Sequence, residues 1–291
     1  MSVLDRPPAP EPLPGPVTDT HCHLDMSRDG GVHSEGDWQR AERILTEAAA
    51  VNVRRVMQVG TDLDGSAWAV EAATRFDTVV AAVALHPNEA PRLTVRGSAG
   101  RSRSALDDAL NEIDAIAGAS ERVRAIGETG LDFFRTGPEG RDAQEQSFRA
   151  HIEIARRRNK ALVIHDRDAH EDVLRILDDS ALPPVVIFHC FSGDADFAEV
   201  CAGRGWFLSF AGPLTFKNNE ALRAALRVVP PGQVLVETDS PFLTPHPHRG
   251  KTNAPYLMPH TVRTVADVLG MGLIETCAAL ETATKAAIGD W

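Results

Sequence analysis

Short apolar runs rich in Val, Ile and Ala recur along the chain and alternate with longer amphipathic stretches. The runs are continuous rather than alternating, which is typical of strands buried on both faces of a parallel sheet. They predict eight strands, at Val17–Cys22, Arg54–Val59, Val79–Leu85, Val123–Gly127, Ala161–Ile164, Val185–Phe188, Trp206–Phe210 and Val234–Val236.

The amphipathic stretches predict helices, because their apolar residues recur at helical spacing. They lie at Asp37–Asn52, Ser104–Ala119, Gln144–Arg158, Ala169–Leu177, Asp194–Gly203, Asn218–Val228, Pro259–Leu269 and Leu273–Ile288. This alternation, without a break in composition, predicts one α/β domain over residues 17–291 with a TIM (β/α)8 barrel fold. The alternative is an open Rossmann-like sheet, but the first strand does not run into GxGxxG and no P-loop occurs.

Composition supports this interpretation and limits the function classes. A chain of 291 residues, 43% of them hydrophobic, suits one large domain with a sizeable core. Residues 1–16 are rich in proline and predict a flexible, solvated tail without the apolar segment of a secretory signal. The stretch Arg92–Arg103, rich in Gly, Ser and Arg, predicts a mobile loop.

Charge and cysteine usage indicate where the protein works. The net charge of −11 argues against broad coating of nucleic acid, although it leaves room for a small basic rim around one site. The four scattered cysteines form no CxxC pair, and no apolar run reaches the length of a membrane span. We therefore expect a cytoplasmic protein, not a membrane protein, and predict no stable protein partner.

Polar residues with metal-binding side chains follow five of the predicted strands directly. The positions are His21 and His23, Glu128, His165, His189 and Asp239. Because the carboxyl ends of all strands in a barrel meet at one mouth, these side chains are expected to converge there. His21 and His23 are separated by one residue, so on a strand they point to the same side. Cys22 points to the opposite side and is expected to be structural, as is Cys190.

The donor set predicts a pair of divalent cations. Four neutral imidazoles and two carboxylates carry −2, and two divalent ions bring +4, so the occupied site attracts an anion. Two ions about 3.5–4 Å apart can activate water and offset developing charge in phosphodiester cleavage. The mixed nitrogen and oxygen ligands leave Mg²⁺, Mn²⁺ and Zn²⁺ open.

At these residues the sequence resembles the TatD-type deoxyribonuclease family of the amidohydrolase superfamily. The matching stretches are DTHCHLD at 19–25, GETGLD at 127–132, IHDRDA at 164–169, FHCFSG at 188–193, VETDSPFL at 236–243 and RGKTNAP at 249–255. The resemblance implies a TIM barrel and metal-dependent hydrolysis of DNA phosphodiesters. Cleavage from single-stranded ends is expected because a barrel mouth admits one strand more easily than a duplex.

The resemblance also implies roles for the candidate ligands. By position, His21, His23 and Asp239 hold one ion, His165 and His189 hold the other, and Glu128 bridges the two. Asp239 takes the proton of the attacking water, so Asp239 and Glu128 are the predicted catalytic residues. Asp25 and Asp132 are expected to orient ligands by hydrogen bonds.

One position departs from the family pattern. The family commonly has His-Pro-His after strand three, whereas here the residues are His86, Pro87 and Asn88, so phosphate affinity is expected to differ. The predicted substrate-binding residues are His86 and the cations Arg167, Arg249 and Lys251, which are chosen for their charge and their proximity to the mouth. Aromatic residues near the mouth, Phe133, Phe134 and Phe191, are candidates for stacking on bases.

Two other functions stay open at this point. A related superfamily hydrolase would act on an ester, lactone or amide, such as an aminoacyl ester on tRNA, with the same metals. A non-catalytic barrel would retain metal only for stability or binding, although its full ligand set argues against this.

Overall fold

The computed structural model describes residues 6–26, 35–94 and 103–291. Eight strands form one sheet in the order β1 to β8, and each pairing described is parallel. They are β1 Val17–Cys22, β2 Val53–Gly60, β3 Val79–Val83, β4 Val123–Asp132, β5 Ala161–Arg167, β6 Val186–Phe188, β7 Phe207–Phe210 and β8 Val234–Val236. The sequential order confirms the TIM (β/α)8 barrel and excludes the doubly wound alternative, in which the strand order reverses.

Ten α-helices lie in the described ranges and mostly follow the strands. They are α1 Glu35–Ala50, α2 Leu63–Arg75, α3 Ala90–Thr94, α4 Arg103–Ala117, α5 Pro138–Arg158, α6 His170–Asp178, α7 Ala195–Gly203, α8 Glu220–Val228, α9 Met258–Leu269 and α10 Leu273–Ile288. Within these ranges, no helix has the length and apolar character that crossing a membrane requires.

By its contacts the chain divides into two compact units. We call the chain up to Gln58 together with Cys190–Asp290 the terminal unit, and Val59–His189 with Trp291 the central unit. In the central unit β3 is buried along its whole length, and α5 buries Phe148 and Ile152. The prediction of a single domain over residues 17–291 stays a prediction.

The helix α2 is absent from the sequence-based elements. Its sequence, LDGSAWAVEAATR, is dominated by small residues and has no broad stripe of large apolar side chains. It begins where the Asp62 carboxylate accepts a hydrogen bond from the Gly65 N–H, a standard N-cap. A Cβ at Gly60 would lie 2.4 Å from the Ser66 main chain, so this turn requires glycine for close approach.

The described part of the predicted tail, residues 6–16, is mostly exposed but is held at two buried residues, Pro7 and Leu13. Leu13 is buried, its N–H bonds the Val51 carbonyl at 3.2 Å, and its carbonyl accepts from Asn52 Nδ2 at 2.6 Å. The Tyr256 hydroxyl donates to the Pro7 carbonyl at 2.7 Å. The carbonyls of this proline-rich segment are acceptors, and side chains of the terminal unit donate to several of them. Residues 1–5 lie outside the described residues.

The predicted loop Arg92–Arg103 is partly helical. Its first residues belong to α3, and Arg103 begins α4, while residues 95–102 lie outside the described residues. Strands β4 and β5 extend five and three residues beyond their predicted ends at Gly127 and Ile164.

Candidate metal centre

In the terminal unit, the end of β1 brings two histidines to one carboxylate. The His21 and His23 rings meet edge to face with centroids 5.1 Å apart, so the two side chains lie on the same side, as predicted. Asp239 Oδ1 lies 3.9 Å from His21 Nε2 and 3.4 Å from His23 Nε2. One ligand atom from each of these residues, the histidine–aspartate cluster, lies within 4.8 Å of the others, which is a spacing one cation can satisfy.

Main-chain hydrogen bonds place Asp239 beside the histidines. The Asp239 N–H donates to the His21 carbonyl at 2.9 Å, and the His23 N–H donates to the Ser240 carbonyl at 2.9 Å. Asp239 adopts a left-handed conformation with φ 51°, which turns the chain after β8. The turn thus continues the pairing with β1 while directing the carboxylate toward the imidazoles.

Two buried polar residues hold this turn. The Asp19 carboxylate accepts the Thr238 N–H at 2.9 Å and also the Thr238 hydroxyl. Burial raises the pKa of Asp19 to about 7, against the opposing effect of these hydrogen bonds. Asn253 Nδ2 donates to the carbonyls of Thr238 and Phe242 at 2.8 and 2.7 Å. The sequence analysis did not assign a role to Asn253, although it lies in the matching stretch 249–255.

In the central unit, three consecutive strands bring Glu128 and two histidines together. Glu128 lies in β4, His165 in β5, and His189 directly after β6. Glu128 Oε2 lies 2.8 Å from His189 Nε2 and 3.1 Å from His165 Nδ1, and these two ring nitrogens are 3.2 Å apart. Together with His86 we call these residues the glutamate cluster.

The carboxylate of Asp132 lies beside the His165 ring. Asp132 Oδ2 lies 3.5 Å from His165 Nε2, on the opposite side of the ring from Glu128. A proton on Nε2 facing Asp132 leaves the lone pair of Nδ1 directed toward Glu128 and His189, as a metal ligand requires. The predicted orienting role of Asp132 therefore has a direct contact, whereas Asp25 accepts a hydrogen bond from Gln58 Nε2 at 2.7 Å.

Contacts within the glutamate cluster shift the pKa values of Glu128 and His165 in favour of their charged forms. Burial disfavours the ionised form of Glu128, but the imidazoles of His189 and His86 and the hydrogen bonds of His165 and His189 hold its pKa well below the usual range. Burial likewise opposes the charged form of His165, but the carboxylates of Asp132 and Glu128, which accept from the ring when it is protonated, raise its pKa overall. The site thus keeps a carboxylate anion available for a cation.

His86 has a defined tautomer that suits a donor better than a ligand. Its Nδ1 accepts the Asn88 N–H at 3.0 Å, so in the neutral ring the proton is on Nε2. That Nε2 lies 3.8 Å from Glu128 Oε2, and burial lowers the pKa of His86 to about 3. A neutral His86 presents an N–H at the edge of the cluster, as a contact to a phosphate oxygen needs.

The Asn88 side chain joins a hydrogen-bond network below the cluster. Its Nδ2 donates to Asp132 Oδ2 at 3.0 Å, and its Oδ1 accepts the Thr136 hydroxyl at 3.0 Å. Gln144 completes the network by donating to Thr136 Oγ1 at 2.8 Å and accepting the Asp132 N–H at 3.0 Å. The residue that departs from the family pattern therefore helps to hold Asp132.

Two glycines allow β4 to approach β5 at this point. A Cβ at Gly127 would lie 2.5 Å from Val163 Cβ, and a Cβ at Gly130 would lie 2.1 Å from the His165 carbonyl oxygen. Gly130 also has φ 138°, which L side chains rarely adopt. The GETGLD motif thus combines a candidate ligand, Glu128, a carboxylate beside His165, Asp132, and the glycines that permit their position.

Two of the predicted substrate-binding cations contact aromatic rings, and the third lies in a loop. The Arg167 guanidinium carbon lies 3.9 Å from the Phe134 ring centre, and that of Arg249 lies 4.0 Å from the Phe216 ring centre. Lys251 lies in the loop after β8, where its carbonyl accepts the Thr244 hydroxyl. The roles of Arg167, Arg249 and Lys251 stay predictions.

The cysteines take no part in the ligand clusters found among the described residues. All four are free thiols. Cys22 is buried, and its Sγ lies 3.6 Å from the Met57 carbonyl.

Comparison with known proteins identifies the family of the chain. Residues 18–289 match the family described as TatD related DNase. The chain belongs to the TatD family. It is 39% identical over 257 residues to the "uncharacterized metal-dependent hydrolase TatD" of Mycobacterium tuberculosis, covering 87% of this chain and 90% of that protein. It is 36% identical over 260 residues to the corresponding hydrolase YcfH of Escherichia coli K12, covering 89% and 90%.

A solved structure from the TatD family shares the fold. YjjV, a TatD homologue from Escherichia coli K12, superposes with a TM-score of 0.79 at 24% identity, covering 94% of this chain and 98% of that chain. At this identity the likeness establishes the fold alone, and it agrees with the (β/α)8 topology.

Proposed function

We propose that the protein is a metal-dependent phosphodiesterase that cleaves single-stranded DNA, working from strand ends. Membership of a family described as TatD related DNase supports the reaction class. The observation that carries the proposal is the histidine–aspartate cluster, whose donors lie within 4.8 Å of one another. Buried imidazoles gathered on a carboxylate at this spacing are the donor set of a divalent cation.

The ligand sets follow from the two clusters. One divalent ion would be held by His21, His23 and Asp239. The other would be held by His165, His189 and Glu128, and the family resemblance implies that Glu128 bridges the two. Bound divalent ions would act as Lewis acids and would lower the pKa of a water molecule toward neutral pH. Mg²⁺, Mn²⁺ and Zn²⁺ remain the candidates.

The chain's own residues then move protons and hold the substrate. Asp239, whose carboxylate is 15% exposed at the edge of the cluster, accepts the proton of the attacking water. His86 donates its Nε2–H to a non-bridging phosphate oxygen. Arg167, Arg249 and Lys251 offset the charge of neighbouring phosphates. Glu128 stays ionised because imidazoles surround it.

The setting of the enzyme is part of the proposal. Four free thiols fit a reducing compartment, so we place the protein in the cytoplasm, acting on DNA without a stable protein partner.

The test removes metal and then restores it. Protein stripped by a chelator is assayed on end-labelled single-stranded DNA and on a carboxylic ester, with Mg²⁺, Mn²⁺ or Zn²⁺ added back. We expect DNA cleavage to depend on the added ion and Asp239→Asn to lower kcat by about 10²–10⁴-fold, the usual contribution of a general base. The matched control is Asp267→Asn, an exposed position in α9, which should leave the rate unchanged.

Five outcomes would contradict the proposal. Cleavage that survives chelation, or that survives in Asp239→Asn, removes the mechanism. Turnover of the ester but not of DNA identifies a different hydrolase. A metal-dependent rise in melting temperature without turnover of either substrate indicates a binding protein. Metal analysis of the reloaded protein tests the bridge, because one ion per chain would contradict it.

A further inference from the structure

A large aromatic side chain is presented to solvent beside the glutamate cluster. Phe134, on the turn after β4, is 63% exposed, although burying a phenylalanine side chain stabilises a protein. The Arg167 guanidinium lies 3.9 Å from its ring centre, a cation–π contact. The neighbouring Phe133 has a similar partner, with Arg141 at 3.9 Å.

The turn that carries Phe134 is held in place. Asp132 Oδ1 accepts the Arg135 N–H at 2.9 Å, and the Asp132 carbonyl accepts the Thr136 N–H at 3.1 Å. The Phe133 N–H donates to the Arg167 carbonyl at 2.9 Å, which continues the pairing of β4 with β5. The main chain of this turn, which with Phe134 we call the platform, is therefore already ordered before a ligand binds. This lowers the entropic cost of binding.

The platform is close to the candidate metal ligands. Arg167 and His165 are two residues apart on β5, so their side chains leave the strand on the same side, about 6.6 Å apart along it. The same Asp132 carboxylate that holds the turn also contacts His165 Nε2 at 3.5 Å. A ligand that reaches the candidate metal ligands can therefore also contact Phe134 and Arg167.

We propose that Phe134 and Arg167 form a nucleobase site, which stacks the base next to the cleaved phosphate. This inference rests on the proposed function. An aromatic ring takes the face of a base, and the adjacent guanidinium takes the charge of its phosphate, a pairing that suits a nucleotide. Only an unpaired base offers its face in this way, so the site selects single-stranded DNA.

The test separates stacking from phosphate contacts. Binding of a short fluorescent oligothymidylate is measured by anisotropy beside an abasic strand of equal length, which keeps every phosphate and lacks every base. We expect Phe134→Leu to weaken oligothymidylate binding by about 5- to 100-fold, the range of one base–aromatic stack, and to leave abasic binding unchanged. Phe134→Trp should retain oligothymidylate binding.

The matched control is Phe76→Leu. Phe76 also lies near an arginine, Arg75 at 6.0 Å, but it precedes β3 and therefore lies at the opposite ends of the strands. It should leave both affinities unchanged. Equal losses on the two strands with Phe134→Leu, or no loss on either, would overturn the inference.

Failure of the proposed function gives a different result. If the wild-type protein cuts no DNA with any cation, the phosphodiesterase proposal fails, while the anisotropy measurement still decides the base site. If cleavage occurs, kcat/KM on oligothymidylate should fall with Phe134→Leu by the same factor as the affinity. Cleavage that is unchanged by Phe134→Leu would count against the base site alone.

Discussion

Replacing Asp132 with asparagine tests how the glutamate cluster holds its histidine. Asp132 is buried and accepts hydrogen bonds from Asn88 and from the Arg135 N–H, while its Oδ2 faces His165 Nε2 at 3.5 Å. The asparagine side chain would keep the shape and one acceptor oxygen but lose the negative charge. A hydrogen bond to a charged group contributes about 1.5–3 kcal/mol, which corresponds to about 10- to 150-fold in a binding constant. Removal of a residue that orients a metal ligand typically costs about 10- to 100-fold, so the two magnitudes agree.

The assay is calorimetric titration of the stripped protein with Zn²⁺ or Mn²⁺. We expect Asp132→Asn to weaken binding of one ion by about 10- to 100-fold. The control is Asp62→Asn, where the carboxylate likewise accepts the N–H three residues on, from Gly65 at 2.7 Å, but contacts no histidine in the candidate clusters. Wild-type affinity in Asp132→Asn, with circular dichroism confirming a native fold, would refute the orienting role.

Two further predictions concern stability. Gly130→Ala should lower the free energy of unfolding in urea by about 2–4 kcal/mol, because its Cβ would lie 2.1 Å from the His165 carbonyl oxygen. Gly232→Ala, where nothing lies within 4 Å, should be near neutral, and equal effects would contradict the argument. His151 is buried with its Nε2 accepting the Leu85 N–H, and burial lowers its pKa to about 4 from 6.5. As the pH falls, the unfolded state therefore takes up this proton at a higher pH than the folded state. The contribution of His151 to the free energy of unfolding is complete above pH 6.5 and falls by about 3 kcal/mol as the pH drops to about 4. His151→Gln should remove that part of the pH dependence, and an unchanged slope in urea titrations would refute the assignment.

The pattern of apolar runs located the strands because burial on both faces leaves a continuous signal in the sequence. It predicted the ends of β4 and β5 too early. The main-chain ladder continues past Ile164, pairing Gly130 with His165 and Asp132 with Arg167, although the side chains there are polar. Site residues interrupt the hydrophobic signal without interrupting the strand.

The sequence by itself determined the fold class and the identities of the candidate ligands. His21 and His23 are separated by one residue, so strand geometry alone placed their rings on the same side, and the ring distance confirms it. These inferences depend on local periodicity, which the order of residues carries directly.

Tertiary structure alone decided the partners of the remaining polar groups. Asn88 meets Asp132 forty-four residues away, the Pro7 carbonyl meets Tyr256, and Arg167 stacks on Phe134 rather than on an acid. Each of these groups makes its hydrogen bond or cation–π contact with a residue that packing brings near it. That proximity depends on how strands and helices pack, so no spacing within one segment could reveal it.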